Sequence, residues 1–448
     1  MSTFKLISSA LRLQTFICKP PPQRNTTVKM EILFRRFSTV GRSAGQRNSE
    51  KKPTMTMAEV KEKIRASLGL PLTYSLNPVP RDHLTQYEPT PEDLPPRSMQ
   101  DSFTSAIIPL STDLMLRDKY TAFLGRLRLG RLLEDMDLFA SWVCHQHIYI
   151  PKLDPSVHLP YTFVTILVDR IDFTPISSKV DQDVRISGHI SWVGRSSMEI
   201  VVWLEQFVDD DWKKITRALF LFAARNATNT KAACVNQLIP GNEEERKILE
   251  GGEQRRKRRI QLQEQSLFKV EPNDEEQRLI HTIFMKTIPG DIHAVNESYL
   301  PPNSVWLSDT KLSNLILTHP QNRNAHDKIF GGYLMRQALE MAFSCAYMFS
   351  KLRPTLEHIS DIAFRKPVPV SSFINMVAHV LYTEKNYMQI VCVANIHDAL
   401  TGEQFTTNEF YFTFSVDKQC PAIVPKTYHE AIWFLQGKRK MEYARGHA

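Results

Sequence analysis

The sequence contains few cysteines, and none of them lies in a metal-binding or redox spacing. The six cysteines of this 448-residue chain are far apart, and no two form a CxxC pair. A disulfide framework needs several cysteines in a short secreted chain, and a structural zinc site needs closely spaced pairs of ligands. The sequence therefore indicates neither kind of site, and a reducing compartment suits these thiols.

Long hydrophobic runs are also missing. A transmembrane helix needs about 18 or more consecutive apolar residues, and the apolar stretch at 161–168 is far shorter than that. We therefore expect no transmembrane segment. Hydrophobic residues nevertheless make up 42% of the chain, which is enough for a large buried core.

Acidic residues are scarce in the first 48 residues, where nine Lys and Arg accompany a single acid, Glu31. The net charge of this leader, +8, equals that of the whole chain, so the rest is neutral. A basic leader of this composition is typical of a mitochondrial transit peptide, with a disordered basic tail or a nucleic-acid-binding arm as alternatives. We expect the mitochondrion, in its matrix, as the location and no nucleic acid as partner.

Two changes of composition divide the rest of the chain. Residues 49–92 are polar and rich in Pro, with one short amphipathic piece near 57–68. Acidic and basic blocks alternate around the basic run at 255–259, which predicts an exposed helical linker rather than a phosphate site. The predicted parts are a transit peptide (1–48), an extended arm (49–92), a first domain (93–230), a charged helical linker (231–288), a second domain (289–425) and a C-terminal tail (426–448).

Both predicted domains show the same order of patterns. The first has an extended segment at 104–111, a helix at 130–147 and strands at 162–168, 184–193, 199–207 and 216–224. The second has an extended segment at 311–318, a helix at 331–349 and strands at 357–364, 373–382, 388–396 and 405–416. Strict alternation at 184–193 predicts a half-exposed strand. A long helix followed by consecutive strands predicts an α+β fold in which an antiparallel sheet surrounds one helix, repeated twice.

The first predicted helix carries an acid within its apolar face. Apolar residues recur every three or four positions at Leu133, Met136, Ala140, Val143 and Cys144. Asp137 lies on this face, where a carboxylate is unfavourable unless it is paired or used in chemistry. Glu134 and Asp135 lie closer to the helix start, and we interpret them as acids that complement the helix dipole.

The second predicted helix begins with a pair of glycines. Gly331 and Gly332 allow a ligand oxygen to approach main-chain N–H groups at a helix N-terminus, although a tight turn is the simpler interpretation. Alignment of the two helices on Gly130 and Gly332 gives three pairs of equivalent positions: Asp137 and Leu339, Asn324 and Ala122, Gly331 and Leu129. Each half therefore lacks the polar residues that the other half carries.

The segments 130–137 and 324–335 resemble the hotdog-fold acyl-coenzyme A thioesterases, and in particular the tandem mitochondrial members of that family. These enzymes carry Asn-x(5)-[FH]-G-G before a helix, and an acid after the glycines. The resemblance covers about residues 93–425. It implies a double hotdog with the active site between the halves, and one of the two repeat-related sites should be degenerate.

The resemblance also implies roles in hydrolysis of fatty acyl-CoA to fatty acid and coenzyme A. Asp137 would act as general base or as nucleophile, and Asn324 would orient the water or polarise the carbonyl. The N–H groups of Gly331 and Gly332 would hold the oxyanion. Arg365 and Lys366 are candidates for the phosphates of coenzyme A, although a surface charge pair is the simpler interpretation.

The family implies no metal and no cofactor, and it implies a homo-oligomer, for which a trimer of double hotdogs is one arrangement. Two other functions stay open from sequence. A hotdog hydratase would need a His paired with an acid, and we expect no His at the inward positions of either helix. A non-catalytic acyl-CoA sensor or assembly subunit would fit the loss of half of each site.

Overall fold

The computed structural model describes residues 55–71, 79–174, 179–209, 211–264, 266–289, 297–324 and 328–446. The predicted transit peptide lies outside the described residues, and so does His326, for which a loop position is expected. The α-helices of the described part are α1 (Met57–Ser67), α2 (Met99–Ser102), α3 (Leu114–Tyr120), α4 (Leu129–His147), α5 (Glu243–Glu264), α6 (Asp274–Met285), α7 (Gly331–Ser350) and α8 (Tyr428–Arg445). The strands in the same part are β1 (Thr104–Ile108), β2 (Tyr161–Val168), β3 (Ile171–Phe173), β4 (Val184–Val193), β5 (Ser197–Val208), β6 (Asp211–Asn226), β7 (Ser304–Trp306), β8 (Leu312–Leu317), β9 (Thr355–Ile359), β10 (Ile362–Ala363), β11 (Ser372–Glu384), β12 (Tyr387–Asp398), β13 (Gln404–Ser415) and β14 (Ala422–Val424).

Twelve of the described strands form one antiparallel sheet, to which each half of the chain contributes six. In the first half β1, β4, β5 and β6 lie side by side, and β2 and β3 pair with β6. The second half repeats this order with β8, β11, β12 and β13, and β9 pairs with β13. The halves join where β2 pairs with β10 and β3 pairs with β9. The two predicted sheets are therefore continuous.

Each half of the sheet surrounds one long helix, α4 in the first half and α7 in the second. The apolar residues predicted to face the sheet from α4 are all buried, and this prediction is confirmed. The two helices also pack directly against each other. Full burial of each large aliphatic side chain stabilises the fold by about 1.5–3 kcal/mol, so this shared core holds the halves together. The predicted α+β double hotdog is confirmed.

The outer face of the first half is covered, and the prediction of a half-exposed strand at 184–193 is wrong. Its polar residues Ser187, His189 and Ser191 are buried. The cause is α5, which packs on β4. The approach is so close that a Cβ on Gly252 would lie 2.5 Å from the Cβ of Trp192.

The predicted linker and tail both contain helices that belong to the fold. The linker forms α5 and α6, but Arg255 and Arg259 of its basic run pair with the buried carboxylate of Glu199 instead of facing solvent. In the predicted tail, α8 packs on β11 and β12. A Cβ on Gly437 of α8 would lie 2.6 Å from Leu381. Each half of the sheet is thus covered by the helix that follows it.

The described part of the predicted N-terminal arm also packs on the first half. The bounds of α1 agree with the predicted amphipathic piece, and its buried residues are Met57, Val60 and Ile64. The N–H of Ile107 donates to the main-chain oxygen of Met55, which covers part of the edge of β1. None of the described helices is both long and apolar enough to cross a bilayer.

Candidate active site

The described residues that flank the entry loops of both central helices make the same main-chain contacts. In the first half the main-chain N–H of Ala122 donates to the main-chain oxygen of Arg126 at 2.7 Å. In the second half the main-chain N–H of Asn324 donates to the main-chain oxygen of Lys328 at 2.7 Å. The same short antiparallel bridge closes each loop at corresponding positions. The two loops are related by a shift of 202 residues along the chain, which confirms the predicted alignment of the two helices.

Asp137 lies where α4 meets the beginning of α7. One carboxylate oxygen accepts a hydrogen bond from the main-chain N–H of Gly332 at 2.8 Å. The other accepts from the hydroxyl of Thr165, on β2, at 2.8 Å. The side chain is buried, with 3% of its surface exposed. Two elements of the first half and one of the second therefore meet at this carboxylate.

The surroundings of Asp137 make its carboxyl group a stronger base than an exposed one. Burial is the largest effect and raises its pKa to about 6. The hydrogen bonds from Thr165 and Gly332 act in the opposite direction, and the negative charge of Glu134 raises the pKa further. The group is therefore mostly ionised at neutral pH, and it takes up a proton near pH 6.

The two glycines at the start of α7 have different surroundings. The N–H of Gly332 donates to Asp137, so this group faces the carboxylate rather than an open oxyanion position, in contrast to the prediction. Gly331 is the first residue of α7, and its N–H lies outside the intrahelical hydrogen bonds. A Cβ on Gly331 would lie 3.0 Å from the ring of Phe364. The glycines allow an aromatic ring and the first-half helix to approach the helix start.

Asn324 lies in the entry loop of α7. Its side-chain oxygen accepts a hydrogen bond from the N–H of Lys328 at 3.2 Å. The N–H of Phe330 donates to the main-chain oxygen of Asn322, which closes the same loop onto the helix start. The Asn324 side chain is therefore part of the loop that presents the N-terminus of α7.

Arg365 and Lys366 follow β10, the strand that joins the second half to β2. The preceding residue, Phe364, donates its N–H to the main-chain oxygen of Ile166, which is next to Thr165 in sequence. Arg365 lies 3.4 Å from Glu409, and the Lys366 ammonium lies over the ring of Phe405. Both cations are exposed, and each has a partner at the surface.

The repeat-related position carries apolar residues instead of the polar ones. In the helix alignment Leu339 is the equivalent of Asp137, and Ala122 is the equivalent of Asn324. On the strands, Thr165 pairs with Phe222 and Leu356 pairs with Phe414, each next to the same irregularity. Leu356 therefore takes the place of Thr165. Of the two repeat-related positions, only the one at Asp137 keeps the polar residues.

Two expectations for acidic residues and histidines of α4 are wrong. The helix begins at Leu129, so Asp135 is not in its first turn. Asp135 is buried and accepts a hydrogen bond from the hydroxyl of Tyr120. His145 and His147 are buried near the helix end, although no inward His was expected.

These histidines bond to main-chain oxygens of Ser141 and Asn236. Burial lowers the pKa of each to about 4, so they are neutral structural residues.

Sequence reasoning missed Thr165, the hydroxyl that contacts Asp137. Its signal is a polar residue in the middle of the apolar run at 161–168, but no pattern in one strand shows which residue of another element it meets. Within the described ranges, no cluster of His, Cys, Asp and Glu is arranged to hold a metal ion. The arrangement is one of a buried base beside main-chain donors of a helix N-terminus, which suits the attack of water on a carbonyl.

No protein-family model matches the chain. It is 36% identical over 428 residues to the mitochondrial acyl-coenzyme A thioesterase 9 of Mus musculus, with 93% of this chain and 95% of that protein covered. The human protein of the same name is 35% identical over 418 residues, with 91% and 93% covered. Among solved structures, an acyl-CoA hydrolase from Staphylococcus aureus in complex with butyryl coenzyme A is 23% identical, with a TM-score of 0.30 and 32% of this chain and 91% of that chain covered. The likeness to relatives of nearly the same length shows that the chain belongs to the acyl-coenzyme A thioesterase family, as a thioester hydrolase similar to the mitochondrial thioesterase 9.

Proposed function

We propose that the protein hydrolyses fatty acyl-CoA thioesters at the place where Asp137 meets the N-terminus of α7. The observation that carries this proposal is the buried hydrogen bond between the Gly332 N–H and the Asp137 carboxylate. A carboxylate of raised pKa lies beside main-chain donors that favour negative charge, which supports a general base at this position. Thioester hydrolysis needs both groups, because a proton leaves the attacking water while charge grows on the carbonyl oxygen.

In the proposed reaction Asp137 acts as general base. It removes a proton from water as the water oxygen bonds to the thioester carbonyl carbon, and the electron pair of the C=O bond moves to oxygen. The intermediate then re-forms the C=O bond, the C–S bond breaks, and the departing sulfur takes up the proton from Asp137. A nucleophilic Asp137 is the alternative, and it would pass through an acyl anhydride on the enzyme.

Gly331, Asn324 and Thr165 support this chemistry in the proposal. The N–H of Gly331 holds the developing oxyanion, because it is the first N–H of α7. The Asn324 amide orients the water or polarises the carbonyl from the loop before the helix. Thr165 and Gly332 fix the orientation of the base through their bonds to its two oxygens.

Coenzyme A carries phosphates, and we assign their recognition to Arg365 and Lys366. The chain after the leader has no net charge, so local cations must attract them. These two residues follow Phe364, whose ring touches Gly331. The protein is proposed to act as a homo-oligomer, with a trimer of double hotdogs as one arrangement.

The pH dependence of thiol release tests the proposal. The full-length protein should release free thiol from acetyl- or palmitoyl-CoA, and kcat/KM should fall as the pH drops through about 6. The sign follows from the base, which works only when ionised, and its pKa lies near 6 because of burial. The measurement is kcat/KM between pH 5 and pH 8 with a thiol reagent that works over this range. Binding of acyl-CoA without thiol release would instead favour a sensor.

We propose that the basic leader directs the protein to mitochondria, as the names of its relatives suggest. A fluorescent reporter fused to residues 1–48 should then colocalise with a mitochondrial dye. The matched control replaces the nine Lys and Arg of the leader with Gln, because loss of positive charge should abolish import. A diffuse signal from the unmodified leader would contradict the proposal.

A further inference from the structure

One ion pair lies on the axis that relates the two halves. Glu134 and Arg336 each lie four residues after the entry glycine of their helix, Gly130 or Gly332. Their side chains meet at 3.1 Å. Gly130 packs on Arg336, and Gly332 packs in the same way on Glu134. The relation between the two halves therefore maps Glu134 onto Arg336 and Arg336 onto Glu134. A pair whose members exchange in this way lies on the axis that relates the halves.

A position on such an axis brings equivalent residues together. Two glutamates or two arginines there would repel each other, whereas the diverged halves of this chain present opposite charges. Only 23% of the Glu134 side chain and 13% of the Arg336 side chain are exposed. Solvent therefore screens this pair less than an exposed surface pair.

The pair lies next to the bond that defines the candidate site. Glu134 precedes Asp137 by three residues on α4, so the two acids lie one turn apart on neighbouring positions. A Cβ on Gly332 would lie 3.0 Å from both the Cα and the main-chain oxygen of Glu134. Arg336 follows Gly332 by four residues on α7. The same helix crossing thus carries the ion pair and the hydrogen bond from Gly332 to Asp137.

We infer that Arg336 is a positioning residue of this active site, an inference that rests on the catalytic role proposed for Asp137. Arg336 holds Glu134 across the repeat axis, which keeps the start of α7 against α4. It also screens Asp137 from the negative charge of Glu134. The negative charge of Glu134 raises the pKa of Asp137, and a cation held beside Glu134 reduces this effect.

Other charged and titratable groups surround this pair. They are Arg131, Asp135 and Cys144 on α4, Tyr333 and Glu340 on α7, Tyr120 on α3, Arg128 before α4 and Lys61 on α1. Tyr120 and Lys61 contact Asp135. Arg128 contacts Glu340 at 2.7 Å. Arg131 contacts Glu134 at 2.8 Å and shares it with Arg336.

Two substitutions that break the same ion pair test the inference in the full-length protein. In Arg336→Gln the negative charge of Glu134 is less compensated, which raises the pKa of Asp137. The fall of kcat/KM at low pH, its acid limb, should therefore move to higher pH. Glu134→Gln removes the negative charge and leaves the cations, so the limb should move to lower pH. Each movement should be about 0.5 to 1 pH unit, the effect of one partly screened neighbouring charge. The substrate is the acyl-CoA that the unmodified protein hydrolyses best.

A purely structural role predicts something different. Both variants lose the same contact, so both would lose thermal stability and their acid limbs would stay in place or move together. Arg128→Gln is the matched control, because it breaks the neighbouring pair with Glu340, and its limb should stay in place.

The outcomes separate this inference from the proposed function. An acid limb that is absent in Asp137→Asn but unmoved in the Arg336 and Glu134 variants overturns the inference alone. An acid limb that persists in Asp137→Asn overturns the catalytic role and the inference with it. Movement of the two limbs in opposite directions supports the inference.

Discussion

Replacement of Asp137 by Asn is expected to lower kcat/KM for acyl-CoA by about 10²–10⁴, the usual contribution of a general base. The amide has nearly the same volume as the carboxylate and can keep both hydrogen bonds. Its oxygen accepts from the Gly332 N–H, and its NH₂ group donates to the Thr165 hydroxyl, in place of the bonds seen at the carboxylate. The substitution therefore removes the base and preserves the packing.

The same variant should be as stable as the unmodified protein or more stable at pH 8. Burial raises the pKa of Asp137 from 3.8 to about 6 in the folded protein. The folded state thus binds this proton more tightly than the unfolded state, and the free energy of unfolding decreases as the pH rises from about 4 through about 6. At pH 8 the ionised carboxylate destabilises the fold by about 1–3 kcal/mol, which the neutral amide avoids.

Thermal unfolding at pH 8 and at pH 4 measures this effect, together with steady-state kinetics at pH 8. The gain in melting temperature should shrink as the pH falls toward 4. If Asp137→Asn kept normal turnover, or lost activity only together with its folded structure, Asp137 would be a structural residue. Hydroxylamine trapping of an acyl-enzyme in the unmodified protein would reveal the nucleophilic alternative.

Gly332→Ala should lower kcat/KM by about 10²-fold, since small displacements of catalytic groups have effects of this size. The added methyl would lie 3.0 Å from the Cβ of Asp137 and 3.0 Å from the Cα and main-chain oxygen of Glu134. Two of these atoms belong to the backbone of α4 and cannot rotate away. The helices must therefore separate by a few tenths of an ångström, and the Gly332 N–H moves away from the carboxylate.

Gly130→Ala is the matched control, because Gly130 takes the same place in the first half. Its Cβ would meet the Cγ of Arg336 at 3.1 Å, while the nearest backbone atom, the Arg336 oxygen, lies at 3.4 Å, an ordinary contact. A shift of the Arg336 side chain by a few tenths of an ångström therefore relieves the contact without separating the helices or breaking its ion pair with Glu134. We expect this variant to keep most of its activity and the Gly332 variant to lose it, when both are assayed at equal folded concentration. Equal losses in the two variants would contradict the assignment of the site to one side of the repeat.

Much of the fold could be predicted from local patterns. The helix at α4 follows from apolar spacing, and the strand β4 follows from strict alternation over ten residues. The shift of 202 residues could be found because the entry glycines mark the same point of each repeat. Each of these features depends on residues that are close together in the chain, so a pattern in the sequence reveals it.

Contacts between distant segments could not be predicted. The burial of Ser187 and Ser191 depends on α5, and no pattern within β4 records that a helix will cover its polar face. The hydrogen bonds of Thr165 and of the Gly332 N–H to the carboxylate could not be predicted either, because they depend on the position of Asp137 in another element. The glycine pair indicates that main-chain N–H groups are accessible at the start of α7, but it does not show that Gly332 donates to Asp137.

The position of the proposed site between distant parts of the chain has a consequence for biosynthesis. Asp137 and Gly332 are 195 residues apart in the sequence. The strand pairs β2–β10 and β3–β9, which join the halves, have similar sequence separations. Contacts of such long range form late, after the slow search that closes a large loop. A growing chain that contains only the first half therefore lacks the contact between Asp137 and Gly332. We expect activity to begin only when the last third of the polypeptide has been made and has packed against the first half.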